Sequence, residues 1–329
     1  MVKQLPTRDT LLQLPKTDLH VHLDGSLRVA TMLEIAAAKG VVLPANDIPG
    51  LTNYVQVGLD CPSLEEYLKA FDVTLSVLQD FDSLRRAAYE LAEDAAMENV
   101  KYMEVRFCPL LHTQKGLSMP QIVKAVLQGL ADAERQFDIT TGVIICGIRH
   151  MSPENSIALA RLTLDFKNRG VVAFDLAGAE YDNPAKDHKE AFDIILESNI
   201  NCTIHAGEAF GPKSIAQAIH YCGAHRIGHG TRLSEDRDLM NYVNDHRLPL
   251  EICLTSNVQT KAIDDLKNHP LKKYYDLGLR VTINTDNRLI SGTTVTDELY
   301  LASQLFEFEI NDIANLIING FKSAFMPHN

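Results

Sequence analysis

No apolar run in the 329-residue sequence approaches the roughly 18 residues needed to cross a bilayer, which argues against a membrane protein. The opening stretch, MVKQLPTRDTLLQLPKTDLH, lacks the long apolar block of a secretory leader, so a cytoplasmic protein is expected. Basic charge is scarce as well: 31 Lys and Arg stand against 43 Asp and Glu, a net −12. That is the wrong sign for affinity built on neutralising phosphates, so neither a nucleic acid nor a membrane surface is expected as partner, and a small substrate is. The six cysteines (Cys61, Cys108, Cys146, Cys202, Cys222, Cys253) form no C-x-x-C pair. A thiolate zinc knuckle or a disulfide scaffold is therefore disfavoured, and buried, reduced thiols are expected. No G-x-G-x-x-G follows the first strand-like run, which weakens the open dinucleotide-binding sheet as an architecture.

What is present is ordinary globular material, 46% hydrophobic and 22% charged, in a length that closed α/β barrels reach as one unit. Eight short runs dense in β-branched and aliphatic residues read as strands, at 17–23, 101–107, 141–148, 171–177, 200–206, 225–230, 248–255 and 279–286. Segments with three- and four-residue apolar spacing separate them, among them 83–99, 118–137 and 153–168, each with Ser or Pro near its start. This alternation predicts an α/β fold of the (β/α)8 TIM-barrel type, one domain over 1–329, without internal repeats or an interdomain linker. The stretch from 24 to 100 is longer than one crossover needs and is expected to hold extra helices. In it, LEEYLKAFDVTLSVL would present Leu68, Phe71 and Leu75 on one face, as a helix packed on the barrel or as a lid over a site.

Barrel strands are apolar on both faces, so polar residues at their C-terminal ends carry information. His20 and His22 sit two apart in the first strand and share its inward face. With His205 on the fifth strand and Asp286 at the end of the eighth, they offer three nitrogens and one oxygen to a metal. That set suits zinc best, with iron, cobalt or manganese as alternatives. Asp18, also in the first strand, is expected to face away from the side of His20 and is left out. A cation there would lower the pKa of a bound water toward ~7, which makes hydrolysis the natural chemistry. Glu208, in HAGE, is placed where a helix begins; in a closed pocket its carboxyl would be protonated and able to donate to a substrate nitrogen. His229, in IGHG, would take the proton of the water or orient it.

The pieces TDLHVHLDGSL, DLAGAE, HAGE, RIGHGTRL, TSNVQT and TINTDNRLISGT span nearly the whole chain, and together they resemble the adenosine deaminase family of the metal-dependent amidohydrolase superfamily. The resemblance implies one Zn2+ per subunit on His20, His22, His205 and Asp286, with Glu208 as the donor to purine N1 and His229 acting on the attacking water. It also implies a substrate set of His22, Asp24 for the ribose 5′-hydroxyl, Gly178 for purine N3 through its backbone N–H, and Asn287 for N7. Many relatives carry a second aspartate where Asn287 stands, but an asparagine amide donates without having to be protonated, and TDN is similar to bacterial-type members. The implied reaction is deamination of adenosine and 2′-deoxyadenosine in purine salvage. Adenine or a futalosine-type nucleoside is the alternative substrate, and a nucleoside-binding barrel without turnover the alternative class. A nucleotide is disfavoured because Asp24 would repel its phosphate. The P-C-x-x-C run of the nucleic-acid-editing zinc deaminases is absent. Oligomeric state is not read from the sequence.

Overall fold

The computed structural model describes residues 5–326. Among them, eight parallel strands pair in chain order: β1 Lys16–His22, β2 Val100–Phe107, β3 Thr140–Ile148, β4 Val171–Ala177, β5 Asn201–Ala206, β6 Arg226–His229, β7 Leu250–Ile252 and β8 Val281–Ile283. Buried on both faces, these strands need the near-continuous aliphatic runs by which the sequence announces them. The sheet curls into a barrel, and the seam is closed by the segment after β8. Asp286 N donates to His20 O (2.8 Å) and His22 N to Asp286 O (2.7 Å), so the closing hydrogen bonds lie at three of the expected site residues.

The last two strands are shorter than the sequence suggests. Residues 248–255 read as one strand, but the chain leaves the sheet at Cys253 and turns into a helix at Leu254–Gln259, while Asp286 lies beyond β8 with φ at +61°. Helices at Phe81–Met97, Met119–Glu134 and Pro153–Asp165 match the three expected ones to within a few residues.

A first helix, α1 (Arg8–Gln13), precedes β1 and is closed by Lys16, whose Nζ donates to the carbonyls of Leu11, Leu12 and Leu14. The long connection from β1 to β2 holds α2 (Val29–Lys39), α3 (Ile48–Val55), α4 (Leu64–Leu68), α5 (Ala70–Val77) and α6 (Phe81–Met97). Asp47, Ser63 and Asp80 start α3, α4 and α6 by accepting backbone N–H groups. The amphipathic stretch read as one helix is two, meeting at Lys69. Five cysteines are buried, Cys61 is half-buried, and all six are free thiols. No helix of the described residues is long and apolar enough to cross a membrane.

Candidate active site

β1, β5 and the segment after β8 bring His20, His22, His205 and Asp286 together at the C-terminal mouth of the barrel, one ligand-type atom from each lying within 4.8 Å of the others. His22 Nε2 is 3.2 Å from His205 Nε2, and Asp286 Oδ1 is 3.5 Å from His20 Nε2 and 3.4 Å from His22 Nε2. Those separations are close to the edge of a tetrahedron with metal–ligand bonds of about 2.05 Å, which is ~3.3 Å. His20 Nε2 is buried without a hydrogen-bond partner, an orphaned lone pair or N–H aimed into the cluster. Burial brings the His20 imidazole down to about 4 and His22 well below its usual range, so both rings are neutral at pH 7 and able to ligate. The residues fit a zinc-type cation. Gly228 is required beneath them: a Cβ there would meet His20 Cε1 at 3.0 Å and the His205 Cα at 3.1 Å.

A second ring of buried charge fixes these ligands. His20 Nδ1 pairs with Glu251 Oε2 at 2.7 Å and His205 Nδ1 with Asp175 Oδ2 at 3.1 Å, which leaves the Nε2 atoms for the cluster. Arg106 ties the two carboxylates together, donating to Asp175 (2.9 Å), to Glu251 (2.9 Å) and to the carbonyl of Leu19. Asp18 would share the inward face of His20 in a regular strand, but β1 slips against β2 between Asp18 and Val21. Its carboxylate accepts from Thr285 N and Oγ1 instead.

Glu208 and His229 face each other beside the cluster, Oε2 to Nε2 at 3.6 Å. Glu208 lies in a turn at 207–210, and the helix expected to begin there starts only at Pro212. Burial raises its carboxyl above the ordinary value, outweighing the pull of His229, and Asp286 adds to the rise. The tautomer of His229 follows from a chain of hydrogen bonds that begins at a backbone donor. Leu271 N–H donates to His269 Nδ1, so His269 Nε2 carries a proton and donates to Asn257 Oδ1 (3.2 Å). Asn257 Nδ2 then donates to His229 Nδ1 (2.9 Å). Neutral His229 therefore holds its proton on Nε2, which is buried and has no partner.

A cavity of about 200 Å³ opens beside the cluster. His22, Asp24 and Gly178 line it, with Leu68, Phe71 and Leu75 of the split helix forming the opposite wall. The insertion thus lines the site as well as packing on the barrel. Asp24 is buried, one carboxyl oxygen has no partner, and burial raises the group to about 7. Gly178 has φ at +92°, a conformation that opens its backbone to the cavity and that side chains disfavour. Asn287 stands next to the cluster but outside the cavity lining. Its Nδ2 donates to Tyr67 Oη (2.9 Å), its Oδ1 is buried and unpartnered, and Tyr67 Oη is 2.7 Å from Ser291 Oγ.

Every residue singled out in the sequence lies in this region. Overlooked were Glu251, Asp175, Arg106, Asn257 and Tyr67. For the first three the signal was available: a charged residue inside an otherwise aliphatic strand.

The adenosine deaminase family model matches residues 15–329. Over 97% of its length the chain is 43% identical to a probable adenosine deaminase of Dictyostelium discoideum, 42% of whose length it spans. It is 39% identical to the adenosine deaminase of Clostridium acetobutylicum, across 97% of this chain and 95% of that one. Among solved structures, the adenine deaminase of Arthrobacter aurescens superposes with a TM-score of 0.89 at 27% identity, covering 95% of this chain and 94% of that one. Fold and relatives define a hydrolytic deaminase built on a parallel barrel. Within that class the chain belongs to the adenosine deaminase family.

Proposed function

We propose that this chain hydrolyses adenosine and 2′-deoxyadenosine to the corresponding inosines and ammonia, as a cytoplasmic enzyme of purine salvage folded as one domain. The observation that carries the reading is the meeting of four ligand atoms, a raised carboxyl and a donor imidazole beside a cavity that His22 lines. His20, His22, His205 and Asp286 hold one zinc per subunit. When bound, that ion lowers the pKa of a water and so supplies a nucleophile at neutral pH.

The chain's own side chains do the rest. Glu208, whose carboxyl burial pushes up, gives its proton to purine N1 as an oxygen adds at C6, so that the negative charge developing on that nitrogen is neutralised. His229 donates from Nε2 to the attacking oxygen and so positions it; a ring already protonated there and accepting at Nδ1 is not the base. Asp286 is left as the acceptor for one proton of the water, which leaves with the amine as ammonia; the other water proton returns to Glu208 as the C6 oxygen becomes a carbonyl. His22 and Asp24 meet the ribose, Asp24 taking the 5′-hydroxyl hydrogen bond. The Gly178 N–H meets N3. Asn287 serves N7 through Nδ2 once its amide turns over, so that Tyr67 Oη donates to Oδ1 and accepts from Ser291, an exchange that the two hydroxyls permit.

A nucleoside is favoured over a nucleotide because the lining residues of the cavity include no Lys or Arg, and a 5′-phosphate would face Asp24 unpaired. Ammonia release from adenosine, 2′-deoxyadenosine, adenine and AMP by purified, zinc-loaded protein tests this. Turnover of the two nucleosides at least 100-fold above AMP and adenine is expected, and adenine or AMP as the best substrate would overturn it.

A further inference from the structure

The turn that carries Glu208 has no regular secondary structure, so its backbone polar groups must find partners elsewhere. Its N–H groups find a single side chain. Glu180, at the end of DLAGAE and buried, accepts four consecutive backbone N–H groups: Gly207 on Oε1 at 2.7 Å, and Glu208 (3.0 Å), Ala209 (2.6 Å) and Phe210 (2.8 Å) on Oε2. The carbonyl of Gly207 is held from the other side by Thr231 Oγ1 and Arg232 N. Gly207 has φ at +72°, which lets its N–H converge with the three that follow, and its missing Cβ leaves room for Ile215. Such a concave array of N–H groups is an anion cradle, and here the anion belongs to the protein.

We propose that Glu180 is a positioning residue for the reaction: it fixes the backbone at 207–210 so that the carboxyl of Glu208 is aimed at the substrate. An ionised carboxylate is an acceptor only, and it takes all four donors here, one on Oε1 and three converging on Oε2. A glutamine keeps the size but turns one oxygen into an NH2 donor, which sets a donor against donors on one side of the cradle. The exchange also removes the negative charge that acts on Glu208 and Arg232, which Glu180→Asp retains. The turn then loses its fixed form where the acid is attached, while His205, held by β5 and by Asp175, stays in place.

The proposal rests on Glu208 being the acid, and the test separates the two. In E180Q, kcat is expected to fall at least 30-fold with KM within threefold, with one zinc per chain and an unchanged circular dichroism spectrum. In an E208Q background the same change is expected to cost less than threefold, because there is no acid left to aim. E180D, which keeps the charge but draws it back by one methylene, is expected to recover part of the loss and carries the same comparison if E180Q does not fold. A kcat within threefold of wild type, a loss carried by zinc content, or equal losses in both backgrounds would overturn the proposal. E208Q alone tells the failures apart: an active E208Q overturns the acid assignment and the cradle with it, whereas an inactive E208Q beside an unaffected E180Q overturns only the cradle.

Discussion

The acid proposed at position 208 has to be both protonated and aimed. Burial pushes toward the first, since desolvation of the charged form outweighs the pull of His229. Glu208→Gln keeps shape and neutrality but has no acidic proton to give. We expect kcat to fall by at least ~100-fold, the lower end of what one positioned acid contributes, with zinc content unchanged. Ammonia release checks this, and a rate within tenfold of wild type would remove Glu208 from the chemistry. Single residues of this kind were legible in the sequence because histidines and carboxylates are out of place at strand ends. Their partners were less so. Glu251, Asp175 and Arg106 stood out as charges within strands, but which histidine each one holds depends on strand order and register, which only the fold supplies. Asp18 was expected to face away from His20; residues two apart share a face in a regular strand, and it is the slip in pairing after Asp18, with Thr285 as its partner, that accompanies its absence from the cluster.

At the scale of elements, the pair α4 and α5 forms part of the cavity wall. Periodicity alone reads residues 64–78 as one helix with an apolar stripe, because the break at Lys69 keeps helical backbone angles and leaves the spacing intact. The stripe was legible, and its destination was not. Leu68, Phe71 and Leu75 lie on the cavity, with Phe71 edge-on to the His22 ring at 6.4 Å between centroids. Truncating Phe71 to Ala should therefore weaken substrate binding more than catalysis. We expect KM for adenosine to rise at least fivefold with kcat within threefold, measured by steady-state kinetics. An unchanged KM would make the segment packing alone and would speak against the lid reading. The shortness of β7 and β8 was equally hidden, since a helix that starts with Leu254 in LTSNVQ continues the apolar character of the strand before it.

On the scale of the whole molecule, the barrel interior is a ladder of paired charges. Arg226 bridges Glu104 and Glu251 below; Glu251 and Asp175, joined by Arg106, support His20 and His205 above. Single ionic groups buried in this way are costly unless every partner is present, so the ladder commits the core to one arrangement at the mouth. The central claim is that this arrangement holds one zinc. Metal analysis of the purified chain beside its His20→Ala variant tests it most directly. About one zinc per wild-type chain and a strongly depleted, inactive but folded variant are predicted; a His20→Ala protein that keeps its full zinc and its activity would contradict the account.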